Sequence, residues 1–286
     1  MSGKTVHDLQ EMKARGERIV MVTAYDYPSA RCAQEAGVDV ILVGDSLGNV
    51  VLGYETTIPV RLEDMLRHVS AVTRAEGPAH VVCDMPFMTY QVSAEEALRN
   101  AARLVQEGGA QSVKLEGGEA FAPTVRRIVE AGIPVMAHIG LTPQSVHRLG
   151  GYRVQGRSAE AARRLLEDAL ALQDAGAYSL VLEAVPWQLA AEITRRLRIP
   201  TIGIGAGAGC DGQVLVFHDL VGYSFGTPAK FVRRYADVRQ VVTEALRRFG
   251  EDVRRGAYPG DAERYSMKDE EWRRLQAEIG GEGDGA

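Results

Sequence analysis

The chain has 286 residues, 45% of them hydrophobic and 25% charged, with a formal net charge of −5. This is the composition of a folded globular domain, and the acidic balance argues against the basic face of a nucleic-acid binder. No apolar run is long enough to span a bilayer, and the segment MSGKTVHDLQEMKARGERI has no apolar stretch of signal-peptide length, so the expected compartment is the cytoplasm, without a membrane partner. Cys32, Cys83 and Cys210 form no Cys-x-x-Cys pair, which argues against a disulfide framework or a zinc site.

In chain order, Val6, Leu9 and Met12 recur at helical spacing with Gly16 as a stop, giving a leading helix over 5–15 that could cover the amino-terminal mouth of a barrel. A first strand is expected over 19–24, then a helix opened by Pro28 and closed at Gly37. The second strand, Val40-Ile41-Leu42-Val43, is apolar on both faces, as a parallel strand covered by helices must be, and it runs straight into Gly44-Asp45-Ser46. The connection over 46–61 is long but rich in apolar residues, so it is expected to be ordered, as a lid or against a second subunit.

The alternation then repeats. Helices are expected at 62–76, 93–107, 119–131, 159–175 and 187–197, the second opened by Ser93 with Glu96 in capping-box spacing. Between them lie strands at 80–84, 112–116, 134–138, 178–183, 201–204 and 214–217. A long loop covers 139–157, and the segment 205–213 is too short for a full helix. Eight strands separated by helical patterns predict a (β/α)8 TIM barrel with right-handed crossovers and one degenerate unit. An open doubly wound sheet is the rival, and it would leave two edges uncovered. Residues 1–262 are read as a single barrel domain with terminal helices, including a long amphipathic one over 237–255. Residues 263–286 are read as a C-terminal helical extension with a disordered glycine-rich end.

The last residues of the strands are Asp45, Asp84, Glu116, His138 and Glu183, and in a parallel barrel they converge on one mouth. Lys114 and Glu116 are two apart and share a face; pointing outward they would be buried under helices at high cost, so they are expected to point inward. Lys114 is conspicuous because only five of the 33 basic residues are lysines. A single strand-end Asp taken alone reads more readily as a helix cap or a turn residue than as a site residue. Four carboxylates together need compensating charge. Lys114 supplies one unit, and an oxygen-only ligand set points to a hard divalent cation, Mg²⁺ rather than Ca²⁺. Ser46 reads as a hydrogen-bond donor to substrate, not as a nucleophile. Gly-Ile-Gly-Ala-Gly at 203–207 reads either as a phosphate cradle or as glycines permitting tight packing. His68, His80 and His147 have no partners at ligand spacing.

The segments VGDSLGNVVLGYETTIPV, DMPFMTY, VKLEGG, HIGLTPQSVHRLGGYRVQGR, VLEAVP and IPTIGIGAGAGCDGQVLVFHD closely resemble the ketopantoate hydroxymethyltransferase family, from about Thr5 to Gly260. The resemblance implies a barrel enzyme of pantothenate biosynthesis that uses one Mg²⁺ per subunit. It moves a one-carbon unit from 5,10-methylenetetrahydrofolate to 3-methyl-2-oxobutanoate, giving 2-dehydropantoate, and it commonly forms homo-oligomers, often decamers. It further implies that Asp45, Asp84 and Glu116 surround the metal, Glu116 through water or directly. Asp45, Ser46, Asp84, Lys114 and His138 would meet the substrate, and Glu183 would be the general base. Asn49, Glu55, Ala137 and Ala184 depart from the residues more usual in the family; none is assigned to chemistry. Three rivals are a Schiff-base aldolase using Lys114, another Mg²⁺ enolate enzyme of the isocitrate lyase and phosphoenolpyruvate mutase type, and a non-catalytic binding protein. Borohydride trapping on Lys114, dependence on the folate and loss of a metal carboxylate would separate them. No short motif marks the folate-binding residues.

Overall fold

In a computed structural model, residues 3–280 are described. Eight strands, β1 Ile19–Thr23, β2 Val40–Val43, β3 His80–Asp84, β4 Ser112–Glu116, β5 Val135–Gly140, β6 Ser179–Glu183, β7 Thr201–Ile204 and β8 Gly212–Leu215, close into a barrel in sequence order. Every neighbouring pair is parallel, including β1 with β8, so the barrel has no open edge and the doubly wound alternative is excluded. Helices α1 Val6–Ala14, α2 Tyr27–Glu35, α3 Leu47–Val50, α4 Leu62–Thr73, α5 Ala94–Gln106, α6 Ala122–Glu130, α7 Val146–Leu149, α8 Ala159–Asp174, α9 Trp187–Arg196 and α10 Phe217–Leu220 lie before, between or after the strands. As expected, β7 and β8 are joined without a helix.

Local chemistry explains the boundaries. Asp26 caps α2 by accepting from the Ser29 N–H at 2.8 Å, and Pro28 sits in the first turn, where its missing N–H costs nothing. Ser93 does the same for α5, accepting from the Glu96 N–H at 3.1 Å, and such a cap stabilises a helix by about 1 kcal/mol. Strand β8 departs from the sequence reading: it starts at Gly212 and ends at Leu215, and Phe217 opens α10 instead of ending a strand. The Phe217 N–H is taken by Thr23 Oγ1 at 2.9 Å, a bond from another strand that turns the chain into helix.

Alternation along the strands makes two apolar layers. Ile41, Val43, Val81, Cys83, Val113 and Leu115 face outward and pack under Met65, Leu104 and Ile128 of the helices. Val40, Leu42, Val82, Met136, Val181 and Val214 fill the barrel, and Leu9 and Met12 of α1 join them. Helix α1 thus packs with the barrel filling at the amino-terminal end. Lys13 holds it there, donating to Thr194 O at 3.0 Å and to Asp211 Oδ2 at 2.8 Å, just ahead of β7 and β8.

Contacts divide the chain at Ala236 and Asp237 into two units. The second contains α11 Val238–Arg254, capped by Asp237, and α12 Asp269–Gly280. Within it Phe249 meets Tyr258 edge to face at 5.3 Å. Most of the glycine-rich end expected to be disordered, 281–286, lies outside the described residues. Among the described residues no helix is long and apolar enough to cross a membrane.

Candidate active site

The carboxyl ends of the strands open into a cavity of about 380 Å³. Asp45, Ser46, Asp84, Lys114, Glu116, His138 and Glu183 all line it, so the structure brings together every site residue expected from the sequence. Register does most of this. Asp84 is the Cα partner of Lys114, Glu116 of His138, and Gly140 of Glu183. A slip of one residue in any of these strands would turn its functional side chain out into the helix layer.

The polar groups form a continuous chain. The Asp45 N–H donates to Asp84 Oδ2 at 3.0 Å. Lys114 Nζ lies 2.9 Å from Asp84 Oδ1 and 3.2 Å from His138 Nδ1. His138 Nδ1 is 3.4 Å from Glu116 Oε1, and its Nε2 is 3.3 Å from Glu183 Oε2. Asp45, Asp84, Lys114, Glu116 and His138 are all buried, whereas Glu183 keeps its side chain 16% exposed toward the cavity. Ser46 Oγ sits 2.8 Å from the hydroxyl of Tyr25.

Burial dominates the electrostatics. Desolvation, with Asp84 and Glu116 nearby, pushes the Asp45 carboxyl well above the ordinary range. Desolvation also raises Asp84, though Lys114 opposes it. Glu116 is lowered: burial works against its charge, but the bond to His138 and the charges of His138 and Lys114 outweigh it. Burial and Lys114 both disfavour the His138 imidazolium, yet Glu116 and Glu183 prevail and raise His138 to about 9. Lys114 is raised too, since Asp84, Glu116 and Asp45 overcome its burial. These carboxylates favour the ammonium form of Lys114, which counts against the Schiff-base alternative, whose nucleophile is the free amine.

Three side chains that the sequence did not single out complete the site. Gln144, in the loop after β5, donates through Nε2 to Asp45 Oδ2 at 2.8 Å and to Met85 O at 3.0 Å, and through its backbone N–H to Glu116 Oε2 at 3.1 Å. Tyr90 lies 2.7 Å from Gln144 Oε1 and accepts from the Glu116 N–H at 3.1 Å. Tyr25 orients Ser46. Tyr90 and Gln144 both fall inside the motifs DMPFMTY and HIGLTPQS, which was the only available signal.

Of the weaker candidates, the glycines of 203–207 serve packing. A Cβ on Gly205, which has φ +64°, would lie 2.6 Å from the Phe231 ring, and one on Gly207 2.5 Å from Trp187. His80 is buried structure, bonded to Ser112 and Lys4. His68 bonds the Tyr25 carbonyl. The three cysteines are free thiols. Among the described residues no three His, Cys, Asp or Glu side chains are gathered so that they could hold a metal ion together; Asp45, Asp84 and Glu116 do not make a ready three-ligand shell.

A closed parallel barrel with buried acids, a lysine and a histidine around a cavity at its carboxyl mouth is a barrel enzyme built for a small charged substrate. Residues 3–261 match the family described as ketopantoate hydroxymethyltransferase. The chain is 56% identical over 270 residues to the 3-methyl-2-oxobutanoate hydroxymethyltransferase of Carboxydothermus hydrogenoformans, covering 94% of this chain and 98% of the other. It is 58% identical over 256 residues to that of Chloroflexus aurantiacus, 90% of each chain. The crystal structure of phosphoenolpyruvate phosphomutase from Streptomyces platensis superposes with a TM-score of 0.59 at 16% identity, covering 98% and 97% of the two chains, a likeness of fold. The chain belongs to the ketopantoate hydroxymethyltransferase family and is a transferase that places a hydroxymethyl group on 3-methyl-2-oxobutanoate.

Proposed function

We propose that the transfer runs through an enolate of 3-methyl-2-oxobutanoate, formed at this cavity by Glu183 in the presence of Mg²⁺, with 5,10-methylenetetrahydrofolate as the one-carbon donor. The observation that carries the reading is the charge balance. With all groups ionised, the strand-end carboxylates Asp45, Asp84, Glu116 and Glu183 face one ammonium and one imidazolium, and Glu55 and Asp219 also line the cavity, so the negative excess is at least two and a divalent cation would offset it. The donor set fits such an ion. Asp45 Oδ1 receives no hydrogen bond among the described residues, and Asp84 Oδ1 lies near Lys114 but out of line for one. Both Glu116 oxygens are already engaged, by His138 and by the Gln144 N–H, so Glu116 suits water-mediated contact. Two carboxylates, water and substrate oxygens are a usual Mg²⁺ environment, which explains why no three-carboxylate shell is needed.

When bound, Mg²⁺ would supply Lewis-acid stabilisation of the charge that develops on the keto oxygen. The protein does the rest. Lys114 and Ser46 hold the substrate carboxylate and keto group, with Tyr25 fixing the Ser46 hydroxyl. Glu183 takes the proton from the branched β-carbon, and His138, raised and facing it at 3.3 Å, steadies its carboxylate. The nucleophilic carbon forms the new C–C bond to the methylene carbon, both bonds from that carbon to the folate nitrogens break, and water supplies the hydroxyl oxygen. The β-carbon proton and one proton of the water end on the two nitrogens, so that keto acid, 5,10-methylenetetrahydrofolate and water give 2-dehydropantoate and tetrahydrofolate.

The same reading makes the enzyme cytoplasmic and a homo-oligomer, a decamer by family resemblance. Exposed apolar side chains on the loops after β2 and β3, Val51, Leu52, Met88 and Val92, are surface that subunit contacts would cover. The test of the chemistry is deuterium exchange at the substrate β-carbon. Glu183→Gln is expected to abolish it while leaving Mg²⁺ affinity near that of the wild type. Exchange at a near-normal rate in that variant would exclude Glu183 as the base.

A further inference from the structure

Gln144 is 4% exposed and ties four segments at the mouth: Asp45 after β2, Met85 and Tyr90 after β3, Glu116 on β4, and its own loop after β5. Its amide orientation is fixed by need. Asp45 Oδ2 and Met85 O can only accept, so Nε2 must face them, and Oε1 is left for the donors Tyr90 O–H and Gln91 Nε2 at 3.2 Å. Because Oδ2 of Asp45 is occupied by this amide, only Oδ1 is left to face the cavity. A carboxylate held in this way has its rotation fixed and one lone pair of Oδ2 in use, which favours binding an ion through Oδ1 alone over chelation by both oxygens.

We propose that Gln144 is a positioning residue that sets the cation preference of the site. By holding Asp45 Oδ2 it biases the carboxylate toward single-oxygen binding and so favours the small octahedral Mg²⁺ over Ca²⁺, which accepts two-oxygen carboxylates and irregular shells. The proposal rests on the reading that Asp45 and Asp84 bind the metal. Partners that orient a ligating side chain typically contribute about 10- to 100-fold to metal affinity. Gln144→Met keeps the length and apolar volume of the side chain but removes the donor. With it gone, Asp45 can rotate and offer both oxygens.

The experiment is calorimetric titration of the metal-free full chain with Mg²⁺ and, separately, Ca²⁺. Wild type, Gln144→Met, Tyr90→Phe and Asp45→Asn are compared, and folding is checked by thermal melts. Gln144→Met should bind Mg²⁺ at least about tenfold more weakly, with Ca²⁺ affinity less reduced, so that the ratio of the two constants falls. General loosening of the fold would weaken both ions and leave the ratio alone. Tyr90→Phe removes the hydroxyl beside Oε1 without touching Asp45. It should move the ratio in the same direction by less, and it carries the test if Gln144→Met does not fold. A folded Gln144→Met with the wild-type ratio overturns the proposal while leaving the metal site standing. Mg²⁺ binding by Asp45→Asn equal to wild type overturns the reading beneath it.

Discussion

Two buried histidines of this barrel are driven in opposite directions by their neighbours. His138 faces Glu116 and Glu183 and is raised to about 9 despite burial and Lys114. His80, toward the other end, is lowered because burial meets no charged partner, and the Lys4 carbonyl only partly offsets it. Its neutral form fits a directed chain: Nδ1–H donates to Lys4 O at 3.0 Å, Ser112 Oγ lies 2.8 Å from Nε2, and the Tyr178 hydroxyl lies 3.0 Å from Ser112 Oγ. Between the lowered folded value and the ordinary 6.5, the unfolded chain takes up a proton that the folded chain refuses. Stability contributed by His80 is therefore full above that ordinary value and is lost as pH falls through the window. Urea unfolding of wild type and His80→Gln from neutral to mildly acidic pH should show a shallower acid-side decline in the variant. Parallel curves would show that His80 contributes nothing to the slope. The strand-end acids could be read from sequence because four of them, with a lysine, converge on one mouth of a parallel barrel, which separate caps or turn residues would not do. Gln144 could not, since an amide in a loop resembles any surface glutamine until the fold encloses it.

At the scale of the element, the position of Glu183 depends on the end of the strand beside it. Gly140 has φ +97°, and a Cβ built there would lie 2.3 Å from the carbonyl oxygen of Glu183. The next residue, Leu141, donates its N–H to that same oxygen at 2.8 Å. On the other side the Ala184 N–H is held by Ile204 O at 2.9 Å, although Ala184 itself sits at φ +47°, a conformation that costs a non-glycine residue roughly 1–2 kcal/mol. Glu183 thus projects from backbone that is clamped on both sides and locally strained, as functional sites often are. Gly140→Ala must push β5 away from β6. The expected result is a large fall in kcat, with a loss of stability above about 2 kcal/mol, since both left-handed backbone and a backbone clash are involved. Steady-state kinetics and urea melts measure the two; a variant with unchanged kcat would mean that Glu183 does not depend on this clamp. Most boundaries of β1 to β7 were legible because apolar runs end at glycine, proline or acid. Strand β8 was not: Gly212 and Gln213 are poor strand formers that pair only because β1 and β7 are already in place.

For the whole molecule, the two ends of the barrel carry separate duties. The carboxyl mouth gathers charge around a cavity, while the amino-terminal end is filled with apolar side chains and packed by α1. Conserving stability at one end and chemistry at the other is the general economy of this fold, and it allows a change at α1 to be separated from catalysis. Leu9 is 1% exposed and packs among the side chains that fill the barrel. Leu9→Ala removes buried volume that a rigid barrel cannot close around, so a destabilisation of about 2–5 kcal/mol is expected. Lys13, bridging α1 to Asp211 and Thr194, keeps the helix in place, so the cavity is left behind and is not collapsed by a sliding helix. KM for the keto acid and kcat below the melting temperature should stay near their wild-type values, because no residue of α1 lines the substrate cavity. Urea unfolding with kinetics at a temperature well under the midpoint decides the matter. A variant of normal stability would show that Leu9 contributes little to the packing energy, and a destabilised variant whose KM is altered well under its melting midpoint would show that the two ends are mechanically coupled through the barrel filling.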